Sequence, residues 1–579
     1  MSHALVFLHL LHNIYNSWSF TSALALLCTF FFSGPFVTSN VSILNNYAGA
    51  QKLGFHVLIH MARKGLKLPP GPRPWPIVGN LPLFAGCSTH RRMMELNKKY
   101  GPLLYLRLGS RPTVVTNSPA IVREFLKHQD HVFCSRPPSS ARDIMVYGGA
   151  GFALSEYGPH WRHLRKICIQ ELLAPSRLQR FHKDRHEEAQ ILVAQVLEIA
   201  SKQAGQEVEL RELLTTFTMN IATRMMMSKK YFSASAADVQ GSVQEAAAFK
   251  EYLHVAFKLL GVFNVGDYIP FLKPFDLQGY ERQMRKAMRK ARTFLDVIMR
   301  EHYEAALKAR SCRTTNSGGG SSAAAVDADI LQSAHDFVDV LLALPGENGA
   351  ERLSNDTIEA LILELMAVAT ETSSVPMEWT LAEMVRNPQM QKKIQEEISK
   401  VCGKDENGIE SVVQESHLNE LTYLKAVFKE TLRFHPGGAF IVPHMSREPT
   451  KVGGYDIPKN TTVLINALDM GRNPESFDKP EEFLPERWLD TGNVDPLRID
   501  PEMRSVPFGG GRRVCPGASL GQCIVTLGLA RLLQAFDWQL PEGKDDIDME
   551  EEAFGLTMSL VTPLKARATP RLPPQFYNP

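Results

Sequence analysis

Between Pro507 and Gly517 the chain reads Pro-Phe-Gly-Gly-Gly-Arg-Arg-Val-Cys-Pro-Gly, and an apolar helical run from Ala518 to Phe536 follows. Glycines on both sides of a cysteine free the backbone for a tight path, and a helix start offers unpaired N–H groups and a positive dipole end. These influences favour a thiolate, so Cys515 is set out as a metal ligand. Gly511 and Gly517 allow the tight path, Phe508 can shield the sulfur from water, and Arg513 can pair with an acidic group of a bound cofactor. Alone, Cys515 also reads as a buried inert cysteine after a Gly-rich turn, and the three glycines as a phosphate loop. Neither alternative explains the whole segment.

Phe508, Gly511, Arg513, Cys515 and Gly517 fill every fixed position of the FxxGxRxCxG signature of the cytochrome P450 family, which the chain resembles from Pro69 to about Pro563. The resemblance implies a mainly α fold with small β-sheets behind an N-terminal membrane anchor helix. It also implies heme b (iron protoporphyrin IX) on Cys515, with O2 and NADPH as co-substrates. A thiolate axial ligand pushes electron density onto iron and favours O–O cleavage, the chemistry of a monooxygenase.

Upstream segments carry matching partners. Glu430-Thr-Leu-Arg433 sets an acid and a base on one helical face, and Pro485-Glu-Arg-Trp488 adds Arg487. An isolated pair at that spacing is an ordinary solvated helix pair. In this order they resemble the family's ExxR and PERF elements, which gives Glu430, Arg433 and Arg487 a structural role beside the heme. Trp161-Arg-His-Leu-Arg165 places Trp161 and Arg165 on one face, where relatives reach a heme propionate. His444 stands where many relatives have a propionate-binding Arg or His. His160, His163 and His182 have no metal-ligand partners in the sequence and read as surface or core residues.

The run Glu359 to Val385 contains Val368-Ala-Thr-Glu-Thr-Ser373, similar to the family's oxygen-activating helix, with Glu371 as the acid and Thr372 as the hydroxyl that handles protons for dioxygen. Val368 and Ala369 depart from the small first residue and the glycine of that pattern, which narrows the groove. A mid-helix threonine that bonds its own backbone is the plain alternative. Pro376 lacks the N–H that would bond the Thr372 carbonyl, so the sequence predicts a kink or widened turn there.

The remaining sequence sets the surroundings. Lys plus Arg number 64 against 62 Asp plus Glu, and a formal charge of +2 gives no field that would recruit nucleic acid. Eight cysteines without short paired spacings suggest a reduced compartment. Met1 to Gln51 holds no Asp, Glu, Lys or Arg, whereas Lys52, Arg63, Lys64, Lys67 and Arg73 follow without an acid. By the positive-inside rule this is a single-pass anchor with the body on the cytosolic side of the endoplasmic reticulum membrane. Residues 1–67 thus read as anchor and basic flank, 68–80 as a stiff proline-rich hinge, and 81–579 as the catalytic domain, with a low-complexity linker at 311–328. Short strands are expected at Tyr105–Gly109 and Thr113–Thr116, and helices over 178–204, 281–309 and 355–386.

The proline-rich hinge and the Pro-Glu-Arg-Trp form resemble the plant microsomal branch of the family. Gly158-Pro-His-Trp-Arg, Leu344-Pro-Gly-Glu-Asn-Gly349 and His435-Pro-Gly-Gly-Ala-Phe-Ile-Val-Pro-His444 look most like plant in-chain fatty-acid hydroxylases of spore and pollen wall polymers. Met145–Phe152, Leu363–Ala369, Gly437–Ile441 and Leu556–Ser559 would line a pocket for a lipophilic small molecule, with Arg142 as a candidate carboxylate anchor. No flavin or nicotinamide domain follows the cysteine loop, so the family implies NADPH–cytochrome P450 reductase as the electron source. The alternatives are a phenylpropanoid or flavonoid hydroxylase, a heme-thiolate isomerase or dehydratase, and a heme-binding protein without turnover.

Overall fold

In the computed structural model the described residues are 65–202, 206–232, 243–316, 334–346, 352–404, 410–490, 492, 494–552 and 555–577. The expected anchor lies outside them. The chain divides into two compact units, one built on a sheet and one on helices.

The sheet unit takes its described residues from 65–140, Phe263–Arg282 and Val442–Asn466. Leu104, Leu106 and Leu108 are buried at alternate positions of β1 (Leu103–Leu108), the period a half-buried strand requires. β1 pairs antiparallel with β2 (Arg111–Thr116), close to the expected bounds. The sheet continues with β3 (His444–Met445) and β4 (Thr462–Ile465) in the spatial order β1-β2-β4-β3. β2 runs parallel to β4, and its centre, Thr113 to Thr116, is wholly buried as an interior strand should be.

The proline-rich segment is extended but docked. Pro70 O accepts from Tyr105 N (2.8 Å), Asn80 Nδ2 donates to Pro72 O and Arg73 O (3.3 Å each), and Arg107 N donates to Asn80 Oδ1 (2.8 Å). From Pro70 onward the extended segment is therefore held along the edge of the sheet unit.

The helical unit comprises Ala141–Val262, Gln283–Ile441 and Ala467–Pro579. Its main helices are α1 (Pro159–Ile167), α2 (His182–Lys202), α3 (Leu210–Met227), α4 (Val243–Leu260), α5 (Tyr280–Asn316), α6 (Phe337–Ala343), α7 (Asn355–Arg386), α8 (Thr422–Phe434) and α9 (Ala518–Ala535); α5 begins in the sheet unit. α5 extends through 311–316, the first residues of the expected linker, and 317–333 lie outside the described residues. Strands Glu207–Glu209, Lys565–Pro570 and Phe536–Gln539 form a small antiparallel sheet.

The core gathers around α7. Met377, Trp379, Leu381 and Met384 pack with Leu214, Phe217 and Ile221 of α3, Val427 and Phe428 of α8, and Leu527 and Leu529 of α9. α9 is apolar and long enough to cross a membrane, yet it is mostly buried in this core. α7 runs as uninterrupted α-helix through Pro376, with no widened turn. The expectation of one is thereby corrected: close packing on both sides of Pro376 holds the helical path although one hydrogen bond is missing.

Candidate active site

The cysteine loop closes on itself. Gly509 N donates to Val506 O (2.9 Å), Val514 N to Gly511 O (3.2 Å) and Cys515 N to Phe508 O (2.9 Å), while the Phe508 ring packs against the main core. Gly511 has φ +60°, in the left-handed region that favours glycine. Gly517 has φ −91°, and a Cβ there would meet nothing within 4 Å, so the backbone freedom expected of it is not needed. Gly517 instead caps α9, and its N–H reaches the sulfur.

Cys515 is solvent-accessible, yet desolvation is the largest influence on its thiol and holds it above the ordinary value, against the Gly517 N–H and Arg165. Accessibility together with desolvation describes a sulfur on the wall of a recess. A coordinated metal would favour the thiolate there.

α1 brings Trp161 and Arg165 to the same place. Arg165 Nη2 donates to Val514 O (2.9 Å), and the guanidinium groups of Arg165 (5.4 Å) and Arg513 (4.4 Å) both lie over the Trp161 ring. Arg513 is buried and donates to Phe152 O (3.1 Å) and Ser155 O (2.6 Å). Trp161 Nε1 is a buried donor without an acceptor. Such a donor beside two cations is what an acidic cofactor edge satisfies, so Cys515, Trp161, Arg165 and Arg513 fit a heme with its propionates.

Glu364 of α7, which sequence reasoning missed, braces the same region. Its Oε2 accepts from Phe152 N (2.7 Å) and Ala153 N (3.1 Å), and its Oε1 is buried without a partner. Burial pushes this carboxyl up to about 7, against the backbone N–H groups and Arg513. A Cβ on Gly151 would come within 2.1 Å of Glu364 Oε2, so only glycine lets the loop approach. The signal available in the sequence was an acid seven positions before Glu371, hence on the same helical face.

Further along α7, Thr557 Oγ1 donates to Glu371 Oε2 (3.0 Å), and burial pushes Glu371 up to about 7. Thr372 is exposed, and its hydroxyl donates to Val368 O (2.5 Å), the back-bonded state anticipated as the plain alternative.

Glu430 and Arg433 of α8 are completely buried and paired twice, Nε to Oε2 at 2.9 Å and Nη2 to Oε1 at 2.7 Å. Arg487 Nε (3.1 Å) and Leu484 N (2.8 Å) also donate to Oε1, and Trp488 Nε1 (2.8 Å) donates to Oε2. Arg433 further donates to the carbonyls of Gly471, Pro480 and Glu482. The network ties the segment 471–488 to α8.

His444 belongs to the sheet unit, where Nδ1–H donates to Phe133 O (2.9 Å).

A family model described as Cytochrome P450 matches residues 69–567. The chain is 42% identical over 518 residues to Cytochrome P450 703A2 of Oryza sativa subsp. japonica, covering 88% of this chain and 94% of that protein. It is 37% identical over 525 residues to Flavonoid 3',5'-hydroxylase CYP75B138 of Crocosmia x crocosmiiflora, covering 89% and 93%. A zebra fish cytochrome P450 structure with abiraterone superimposes with a TM-score of 0.63 at 25% identity, covering 84% of this chain and 100% of that one. The chain belongs to the cytochrome P450 family. It is a plant-type P450 monooxygenase.

Heme is the family's cofactor, and when bound it supplies the reduction and cleavage of dioxygen. The segments expected to line the pocket of this P450 meet around α7. Met558 N donates to Gly437 O (3.0 Å), Trp379 Nε1 donates to Met558 O (2.9 Å), and Glu364 holds the loop at Phe152. Arg142 is already paired with Glu156 (3.1 Å) and Asp143 (3.4 Å), which corrects its reading as a free carboxylate anchor. His182 is also corrected: it lies with His186 and Glu415, their ligand atoms all within 4.8 Å of one another. The six described cysteines are unbridged.

Proposed function

We propose that this P450 hydroxylates an in-chain carbon of a medium- or long-chain fatty acid, with electrons from NADPH through NADPH–cytochrome P450 reductase. In this reading the catalytic domain faces the cytosol from the endoplasmic reticulum membrane. Cys515 holds the heme iron, Trp161, Arg165 and Arg513 hold its propionates, and Phe508 shields the sulfur. The apolar lining carries the substrate assignment: Val146, Phe152, Leu363, Met366, Ala439 and Met558 are all buried in the lining segments. Of the polar groups among them, Glu364 Oε2 is taken by two backbone N–H groups and Thr557 by Glu371, which leaves Glu364 Oε1 as a buried acceptor still open. An alkyl chain needs no other partner, whereas a polyphenol leaves its hydroxyls to be satisfied.

The flavonoid hydroxylase among the relatives favours a phenolic as the second reading. Reconstitution with a plant reductase, offering saturated fatty acids of about 10 to 18 carbons beside flavonoids and phenylpropanoids, decides between them. In-chain hydroxy acids are expected, and products from phenolics alone would overturn the fatty-acid reading.

Glu371 and Thr372 handle protons in this proposal. A carboxyl held near 7 carries its proton below that pH and loses it above, so product formed per NADPH falls about tenfold between pH 6 and pH 8. Glu371→Gln removes that inflection, and Thr372→Ala lowers product per NADPH about tenfold or more at every pH without loss of heme. An unchanged pH profile in Glu371→Gln, measured from NADPH and product together, would take the acid out of the relay.

A further inference from the structure

Among the described residues, two clusters of three ligand-type side chains stand outside the cysteine loop. In the first, His182, His186 and Glu415, both carboxylate oxygens are taken by the guanidinium of Arg185 (2.6 and 2.8 Å), and His186 Nε2 accepts from Glu415 N (3.3 Å). Burial, His182 and Arg531 push His186 down to about 4, so this cluster resists added positive charge.

The second cluster is His302 on α5 with Asp336 and Asp339 at the start of α6. His302 and Asp336 are 8% and 5% exposed. His302 Nδ1 lies 2.8 Å from Ile298 O. A carbonyl only accepts, so Nδ1 carries the hydrogen, and in the neutral imidazole Nε2 is a bare lone pair. That lone pair faces Asp336 Oδ2 at 3.1 Å. Two buried acceptors at this distance repel each other unless a cation lies between them, and the cation is either a proton on Nε2 or a metal ion.

Charge balance separates these two. With a proton, one imidazolium and two carboxylates leave the three side chains with a net negative charge, two of them buried, and the one cation seen nearby among the described residues, Arg180, is spent on Ala334 O (3.3 Å); a divalent ion balances the three side chains by itself. The remaining contacts orient the ligands as outer partners do in metal sites. Asp336 Oδ1 accepts from Asp339 N (3.0 Å), Asp339 Oδ2 accepts from His335 N (3.1 Å), and Ile298 O selects the tautomer that offers Nε2.

We propose that His302, Asp336 and Asp339 form a divalent-cation site of the zinc class that joins α5 to the start of α6. One imidazole nitrogen and two carboxylate oxygens make a borderline-hard donor set suited to Zn2+, with water completing the shell.

The test uses the full-length, heme-loaded chain, stripped with chelator and re-equilibrated with zinc chloride. One zinc per heme iron is expected by elemental analysis. His302→Gln and Asp336→Asn bind at least about tenfold more weakly; Asn keeps the α6 cap, and the reduced carbon-monoxide band reports folding in both variants. Equal zinc in wild type and both variants, none in all three included, would leave only a proton in the site and overturn the proposal. Zinc-edge absorption of the wild type needs no variant: nitrogen and oxygen neighbours at about 2.0–2.2 Å are expected, and sulfur at about 2.3 Å would assign the zinc to cysteine and also overturn it.

Discussion

Cys515→Ala is expected to fold and to lose the reduced carbon-monoxide band of a heme-thiolate protein, with turnover down about a thousandfold or more, equivalent to about 4 kcal/mol in barrier. The fold should survive because the loop is held by backbone bonds that do not involve the sulfur: Cys515 N to Phe508 O, Val514 N to Gly511 O and Arg165 to Val514 O. Alanine keeps all of them, and the accessible position leaves no packed cavity to collapse. Trp161, Arg165 and Arg513 also remain, so some heme is retained through its propionates, spectrally without sulfur. The readout is the carbon-monoxide difference spectrum beside the circular dichroism melt. A band unchanged in position and height in the alanine variant would show that iron takes its ligand elsewhere.

The parts of this site legible in the sequence are those whose geometry is local. The cysteine loop is a single short segment, and Glu430 and Arg433 meet because positions three apart on a helix always do. Glu364 escaped because its partners, Phe152 N and Ala153 N, arrive from a loop far away in the chain, and only Gly151 hints at the approach. Trp488 escaped similarly, since its indole N–H matters only once Glu430 is seen to need a further donor. At Pro376 no widened turn forms, because Val375 and Met377 to either side of the proline, with Trp379 and Leu381 beyond, are fixed in the core. Arg142 was misread because a loop sequence does not reveal that Glu156 returns to meet it. His182 looked solitary for the same reason, Glu415 being remote in sequence.

The largest stability loss is expected at Glu430, and its neighbours should follow in a definite order. Glu430→Ala leaves Arg433 charged with side-chain exposure of 0%, and strips acceptors from Trp488 Nε1, Leu484 N and Arg487 Nε at once. Breaking a buried pair from one side costs about 3–5 kcal/mol. Each donor left unsatisfied adds about 1–3 kcal/mol, and the sum consumes most of the ~5–15 kcal/mol that holds a typical fold together. No soluble heme-loaded protein should be recovered. Arg433→Ala spares the donors around Glu430 but strands the carbonyls of Gly471, Pro480 and Glu482, and it leaves Glu430 facing Arg487 alone as a charged partner, so it should cost somewhat less. Arg487→Ala is mildest, at about 1–2 kcal/mol, because Arg433, Leu484 and Trp488 still satisfy both carboxylate oxygens. Heme-loaded yield and melting temperature of the three variants should therefore rise from Glu430→Ala through Arg433→Ala to Arg487→Ala. If Glu430→Ala were as stable as Arg487→Ala, the carboxylate would not be the hub on which the segment 471–488 is fixed, and the stability of that segment would have to come from its apolar contacts through Phe477 and Trp488.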